Sequence, residues 1–185
     1  MPHSTDPITP PPSDLYSNRL IRAYERMLDL LHVHSTAEAD NAAPVFTKLR
    51  DQLAAVRDRM VELGELTREE ANRIGDYLER DLHDAASYLV TTGDDLRNWW
   101  RFDVALIEER ILTAFTSVAD QTSLQLRQLQ HEGRQFDRYQ TGDITAPGTL
   151  RCTGCGAAVT LTQTGCIPAC PACGGTQFGR SVMRG

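Results

Sequence analysis

Cys152, Cys155, Cys170 and Cys173 form a C-x2-C-x14-C-x2-C pattern toward the C-terminus. Thiolate sulfur is a soft ligand, and two cysteines separated by two residues can face the same way across one tight turn, a knuckle. Two knuckles together supply the four ligands of a closed tetrahedral zinc site. The fourteen-residue interval is slightly shorter than is usual for this pattern, yet it leaves room for a small β-hairpin. The spacing therefore predicts a zinc ribbon holding one structural Zn2+. With four protein sulfurs bound, the metal has no open position for water or substrate, so its expected role is to hold a fold together and not to catalyse. Cys166 stands outside the pattern, four residues before Cys170. That distance permits ligand exchange, but a partly buried structural thiol is the preferred reading.

Other chemistry finds little support. A thioredoxin-like dithiol needs one C-x2-C beside a βαβ unit, and that context is absent from the sequence. Zinc release on oxidation, making the chain a zinc-thiolate redox sensor, is carried as the alternative function. His32 and His34 lie two apart and would point in different directions on a helix, while His83 and His131 lack recognisable ligand partners. No Ser-His-Asp order, P-loop or dinucleotide-binding fingerprint is legible, so a non-enzyme is expected.

The elements that must carry the ribbon read as helices. Asp14 suits an N-cap before Leu15, Leu20, Tyr24, Met27, Leu28 and Leu31, and the segment from His32 to Ala43 reads as a connection. Pro44 suits the first turn of a second helix carrying Phe46, Leu49, Leu53, Val56, Met60 and Leu63, ended by Gly64. Thr67 with Glu70 forms a capping box for a third helix, with Ile74, Leu78, Leu82, Ala85 and Leu89 inward. After Gly93, Asp94 or Asp95 can cap a fourth helix through Trp100, Val104, Ile107, Ile111, Phe115 and Val118, then Leu126 and Leu129, to Gly133.

Short connections make neighbouring helices antiparallel. The predicted fold is therefore mainly α: an antiparallel helical hairpin or bundle, coiled-coil-like in its apolar period, followed by a small C-terminal β zinc ribbon. The third and fourth helices should form its longest hairpin. Residues 1–13, with five prolines, read as a disordered leader, residues 14–137 as the helical domain and residues 138–185 as the ribbon. Within the ribbon, Tyr139 to Thr145 leads in, Ala158 to Leu161 reads as a strand, and Thr176 to Val182 reads as its partner. Gly156 and Gly174 follow the second cysteine of each knuckle, where they let backbone amides turn toward sulfur.

The formal charge is −6, and the three arginines that follow Asp143 leave about −9 on the remainder, which argues against the helices wrapping a nucleic-acid backbone. Four thiolates on a divalent ion bring the ribbon itself close to neutral. The proline-rich start cannot be a secretory h-region, and no run of about eighteen apolar residues suggests a membrane span. A cytoplasmic location suits reduced, zinc-bound thiols.

With these residues in view, the chain resembles a bacterial family of zinc-ribbon-containing helical proteins of unknown function. The resemblance spans roughly residues 64–178. It rests on Gly64-Glu65-Leu66-Thr67, Arg80-Asp81-Leu82, Tyr139-x-x-Gly142-Asp143, Gly148-x-Leu150-x-Cys152-x-x-Cys155 and Cys170-Pro171-x-Cys173-Gly174. It implies the same four zinc ligands and no activity. Where the family often has a Trp in its last helix, this chain has Leu126.

The expected function is that of a non-enzymatic adaptor in which a helical stalk presents a zinc ribbon to a partner. That partner is expected to be a protein, with the transcription or translation machinery as candidates. Weak nucleic-acid contact through the ribbon and self-association through the helices are further expectations. Arg151, Arg180 and Phe178 are the expected contact residues, because charge and an aromatic face can meet phosphates or bases. Adjacent Trp99 and Trp100 cannot share one core line, and both are read as packing across helix seams. The acidic Gly93-Asp94-Asp95 tip resembles in outline the hairpins that bacterial factors insert into RNA polymerase, although a cap and a solvated turn residue are the preferred reading.

Overall fold

The computed structural model describes residues 13–37, 45–92, 108–128 and 138–180. Among the described residues, four helices occupy the first part: α1 (Ser13–Ala37), α2 (Val45–Glu62), α3 (Arg68–Thr92) and α4 (Glu109–Gln128). The expected leader up to Pro12, together with Pro44, the Gly93-Asp94-Asp95 tip, both tryptophans, Val104, Ile107, Leu129, His131 and Gly133, lies outside the described residues.

On α1 the buried residues are Leu20, Ala23, Tyr24, Met27, Leu28 and Leu31, the three-and-four spacing of one face. Leu15 was expected on that face but is 61% exposed. The five-residue step from Leu15 to Leu20 turns about 140° around the helix, so the two cannot share a face. The helix also runs on to Ala37 where a connection was expected from His32, leaving His32 half-buried and His34 exposed on different sides.

Helix α2 buries Leu49, Leu53, Val56 and Met60. Leu63 falls just past its end and is exposed, contrary to the sequence expectation. The chain stops there in a Schellman turn: Gly64, at φ +68°, donates its N–H to Val61 O at 3.0 Å, and Glu65 N–H reaches Met60 O at 3.1 Å. The capping box that opens α3 forms as expected. Glu70 N–H donates to Thr67 Oγ1 at 3.2 Å, and Thr67 N–H donates to Glu70 Oε2 at 2.9 Å.

Cross-helix ion pairs give the orientation. Arg68 with Asp58, Arg57 with Asp76 and Arg50 with Glu79 step in opposite senses along α2 and α3, so these helices are antiparallel. Arg19 with Glu70 and Tyr24 with Asp81 step together along α1 and α3, which run parallel. Helix α4 packs on α3 and α1 through Ile111, Ala114, Phe115, Val118 and Ala119. The result is a helical bundle.

Six short strands follow: β1 (Tyr139–Gln140), β2 (Ile144–Thr145), β3 (Gly148–Cys152), β4 (Ala158–Leu161), β5 (Gly165–Cys166) and β6 (Gln177–Gly179). Four form an antiparallel sheet in the order β1-β6-β3-β4, and β2 pairs with β5. The strand at Ala158–Leu161 forms as expected but pairs with β3, not with β6. The reason is local: the first knuckle is itself the hairpin turn, so the strand leaving it folds back on the strand that entered, Leu150 opposite Val159. Strand β6 then fills the other side of β3 and joins it to β1.

Candidate metal centre

The two knuckles are built alike. In the first, Gly156 N–H donates to Cys152 O at 2.9 Å and Cys152 N–H to Ala157 O at 2.9 Å. In the second, Gly174 N–H donates to Cys170 O at 2.8 Å and Cys170 N–H to Gly175 O at 2.9 Å. Each turn closes through its glycine at positive φ, +74° for Gly156 and +71° for Gly174, a conformation that other residues adopt only with strain.

This brings together all four sulfurs singled out in the sequence, each within 4.8 Å of the others. Cys152 and Cys173 sulfurs lie 3.6 Å apart, as do those of Cys155 and Cys170. A regular tetrahedron with zinc–sulfur bonds of about 2.3 Å has edges of about 3.8 Å, so the set fits one zinc ion. Cys152 and Cys170 are buried, while Cys155 and Cys173 are exposed. The electrostatics also suit a cation. The backbone N–H of Ala172, then that of Cys173, favours the Cys170 thiolate and draws its pKa down to about 7. At Cys173 the Gly175 N–H pulls in the same direction, but hydrogen bonds to the sulfurs of Cys155, Cys152 and Cys170 outweigh it and push the thiol up to about 12. Four sulfurs this close compete for protons until a divalent ion supplies the missing positive charge.

Cys166 takes no part in the cluster. It is exposed on β5 opposite Ile144, not partly buried as expected. Among the described residues, these four cysteines are the one group of His, Cys, Asp or Glu side chains arranged to hold a metal. His83 is half-buried, and burial holds its pKa below the ordinary value.

The expected contact residues divide. Arg151 is exposed and donates to Gly156 O at 3.2 Å, beside the first knuckle. Phe178 and Arg180 are buried and cannot offer a surface. Phe178 fills the small ribbon core with Tyr139, Leu150, Val159 and Ile167. Arg180 turns inward to donate to Pro147 O at 2.9 Å, Ala146 O at 3.1 Å and Thr145 Oγ1 at 2.9 Å, with Asp84 Oδ2 3.4 Å from its Nε. Its path depends on Gly148, where a Cβ would lie 1.9 Å from Arg180 Nη1.

Arg180 belongs to a buried polar joint between ribbon and bundle. Asp81, wholly buried on α3, accepts from Tyr24 Oη at 2.8 Å, Thr145 Oγ1 at 2.9 Å and Ala146 N–H at 2.8 Å, and from Arg80 Nε at 3.0 Å. Arg80 also donates to Asp143 Oδ2 at 2.7 Å and Ile144 O at 3.0 Å, with its guanidinium 4.0 Å from the centre of the Tyr139 ring. The Tyr139 hydroxyl donates to Asp84 at 3.0 Å. Three charged residues of the third helix, Arg80, Asp81 and Asp84, are thus interior. One signal was available: Asp81 lies three residues after Leu78 and four before Ala85, on the apolar stripe itself.

A family profile described as "Zinc-ribbon containing domain" matches residues 36–182. Among curated proteins, the chain is similar to "Uncharacterized protein YbeL" of Escherichia coli strain K12, with 26% identity over 125 residues, 67% of this chain and 76% of that protein. The proteins of the same name from the O6:H1 and O157:H7 strains match to the same extent. No solved structure matches the chain.

Proposed function

Because this chain belongs to the family of zinc-ribbon-containing domain proteins, we propose that it is a non-enzymatic adaptor whose ribbon, organised by one zinc ion at Cys152, Cys155, Cys170 and Cys173, presents its knuckle end to a macromolecular partner. The observation that carries this is the exposure of both knuckle tips, residues 153–156 and 171–174, on a site whose four sulfurs leave a tetrahedral metal no open position. Zinc would hold the two tips side by side and supply no reaction. Arg151 adds one exposed positive charge at that end, suited to an acidic protein surface or to a phosphate. The ribbon meets the bundle through the Arg80–Asp81–Arg180 joint, in which neither knuckle tip takes part. No described helix is long and apolar enough to cross a membrane, and reduced thiols suit the cytoplasm.

The test is affinity capture of the tagged protein from native lysate, with and without nuclease, comparing wild type, Cys170→Ser and Arg151→Ala. Recovery of polymerase or ribosomal components that requires the cysteine supports the adaptor, and loss on nuclease treatment identifies a nucleic-acid bridge. Recovery unaffected by Cys170→Ser moves recognition to the helices and sinks this assignment.

A second reading, a zinc-thiolate redox sensor, is favoured by the exposure of Cys155 and Cys173, which lets an oxidant reach two of the four sulfurs. Low peroxide should then release zinc and change partner affinity together. An adaptor would keep its contact under mild oxidant.

A further inference from the structure

We propose that zinc occupancy in the ribbon governs the internal order of the helical bundle, through the buried joint between Tyr139, Arg180 and the polar face of α3. The inference rests on the zinc-ribbon reading above and extends it to regulation of the same site.

The bundle does not close its own core. Ile144 and Ala146, both from the ribbon side of the chain, are buried in the same apolar cluster as Tyr24, Leu78, Leu82 and Ala85. The polar joint is shared in the same way. Of four donors on Asp81, Thr145 and Ala146 come from the ribbon side. Asp84 receives Tyr139 and faces Arg180, and Arg80 finds Asp143, Ile144 O and the Tyr139 ring there. If those strands left, Asp81 would lose two of its four donors, Arg80 would lose Asp143, Ile144 O and the Tyr139 ring, Asp84 would lose the Tyr139 hydroxyl and Arg180, and water would enter beside Tyr24. Buried charges stripped of partners are among the costliest defects a core can hold.

The ribbon cannot hold these strands in place by packing alone. Its own cluster of buried apolar residues numbers seven, and two of those, Cys152 and Cys170, are the ligands themselves. The path from the cysteine cluster to the joint is two residue pairs long. Phe178 lies opposite Cys152 on one side and opposite Tyr139 on the other, and Arg180 follows two residues later. Loss of the ion frees Cys152 and Cys170, loosens β3 and β6, and withdraws Tyr139 and Arg180 from α3. The helices need not unwind for this to happen; what is lost is the closure of the face they share with the ribbon.

Hydrogen exchange on the full-length protein, zinc-loaded and after EDTA treatment, tests the coupling. Peptides covering residues 78–86 of α3 should exchange about fivefold faster or more without zinc, the lower end of ordinary coupling between sites. A smaller change, with ribbon peptides fully exchanged, overturns the proposal while leaving the zinc ribbon intact as a reading. Protein that takes up no zinc under any condition overturns both. Coupling is reciprocal, so weakening the joint must weaken metal binding, by up to the same factor where the joint is lost. Zinc affinity, measured by competition with a chromophoric chelator, should fall in Arg180→Met and in Tyr139→Phe, the second removing only the hydroxyl and so keeping the fold. Wild-type affinity in a folded Tyr139→Phe protein whose α3 exchange is already accelerated would refute the linkage.

Discussion

The bundle and the ribbon are stabilised in opposite ways. The bundle buries a continuous apolar core drawn from all four helices, with Tyr24, Met27, Leu53, Met60, Ile74, Leu78 and Phe115 fully enclosed. Such a core carries its own stability through apolar area removed from water. The ribbon has strands of two to five residues and a core in which Cys152 and Cys170, members of the candidate metal cluster, take the place of hydrophobes. Its order must come from the four sulfurs and from the surface on which it sits. The difference teaches that the same chain can encode one region by repetition of apolar residues and another by a few residues at fixed intervals.

The comparison can be broken at its extreme by removing one ligand. Cys155→Ser should abolish stoichiometric zinc, measured by atomic absorption, and unfold the ribbon, since zinc supplies about 10–16 kcal/mol of apparent binding free energy in small finger peptides. Circular dichroism should keep most of its helical signal. Unchanged zinc content would refute the ligand assignment, and a wholly lost helical signal would mean that the bundle has no stability of its own.

Leu78→Ala strikes the other region. Leu78 is wholly buried in the bundle core, and truncation should cost about 2–5 kcal/mol in denaturant unfolding of the zinc-loaded protein. Cys152–Cys173 geometry does not touch this residue, so zinc stoichiometry should stay at wild type. A loss below about 0.5 kcal/mol would show that the site collapses without a cavity.

The smallest effect is expected at the start of α3. Thr67→Ala removes the reciprocal cap and should cost about 0.5–2 kcal/mol. The cap has a pH signature. Burial raises the Glu70 pKa, but the Thr67 backbone and hydroxyl bonds and the Arg19 charge outweigh it, and the folded value lies below the ordinary 4.5. A depressed folded pKa contributes stability that is fully present above the unfolded value and is lost as pH falls through the folded one. Thermal melts of wild type and Glu70→Gln should therefore differ at neutral pH and converge as pH drops below about 4.5. A constant difference down to strongly acidic pH would mean that the carboxylate charge plays no part.

Much of the bundle was legible because its signal is redundant. Leu20, Tyr24, Met27, Leu28 and Leu31 repeat one period, and errors arose where that period breaks, at Leu15 and Leu63, and where the apolar stripe stops before the helix does, from His32 to Ala37. The four-cysteine cluster was legible because its ligands need fixed spacing. The joint was not, because a charged residue in a helix reads as solvated unless its covering partner is known, and that partner, Tyr139 with Thr145, Ala146 and Arg180, lies 55 or more residues away in the chain. The same distance hid the inward turn of Arg180. Strand pairing failed for a smaller reason, since β3 alternates Leu150 with Thr149 and Arg151 and so offers few apolar residues to mark it as the central strand.

The matched hydrogen bonding of the two knuckles has a consequence for how the site assembles. Each dithiol sits in a turn whose own backbone bonds lie within six residues, so an arriving ion needs only two local turns, not the whole ribbon, to find two bidentate chelators joined by a tether of fourteen residues. Once one chelator has captured the ion, the second acts at an effective concentration on the order of millimolar, set by the tether and not by free protein in solution. Capture by the second knuckle is then a ring closure within one molecule, and a second chain competes poorly for the half-bound metal at ordinary protein concentrations.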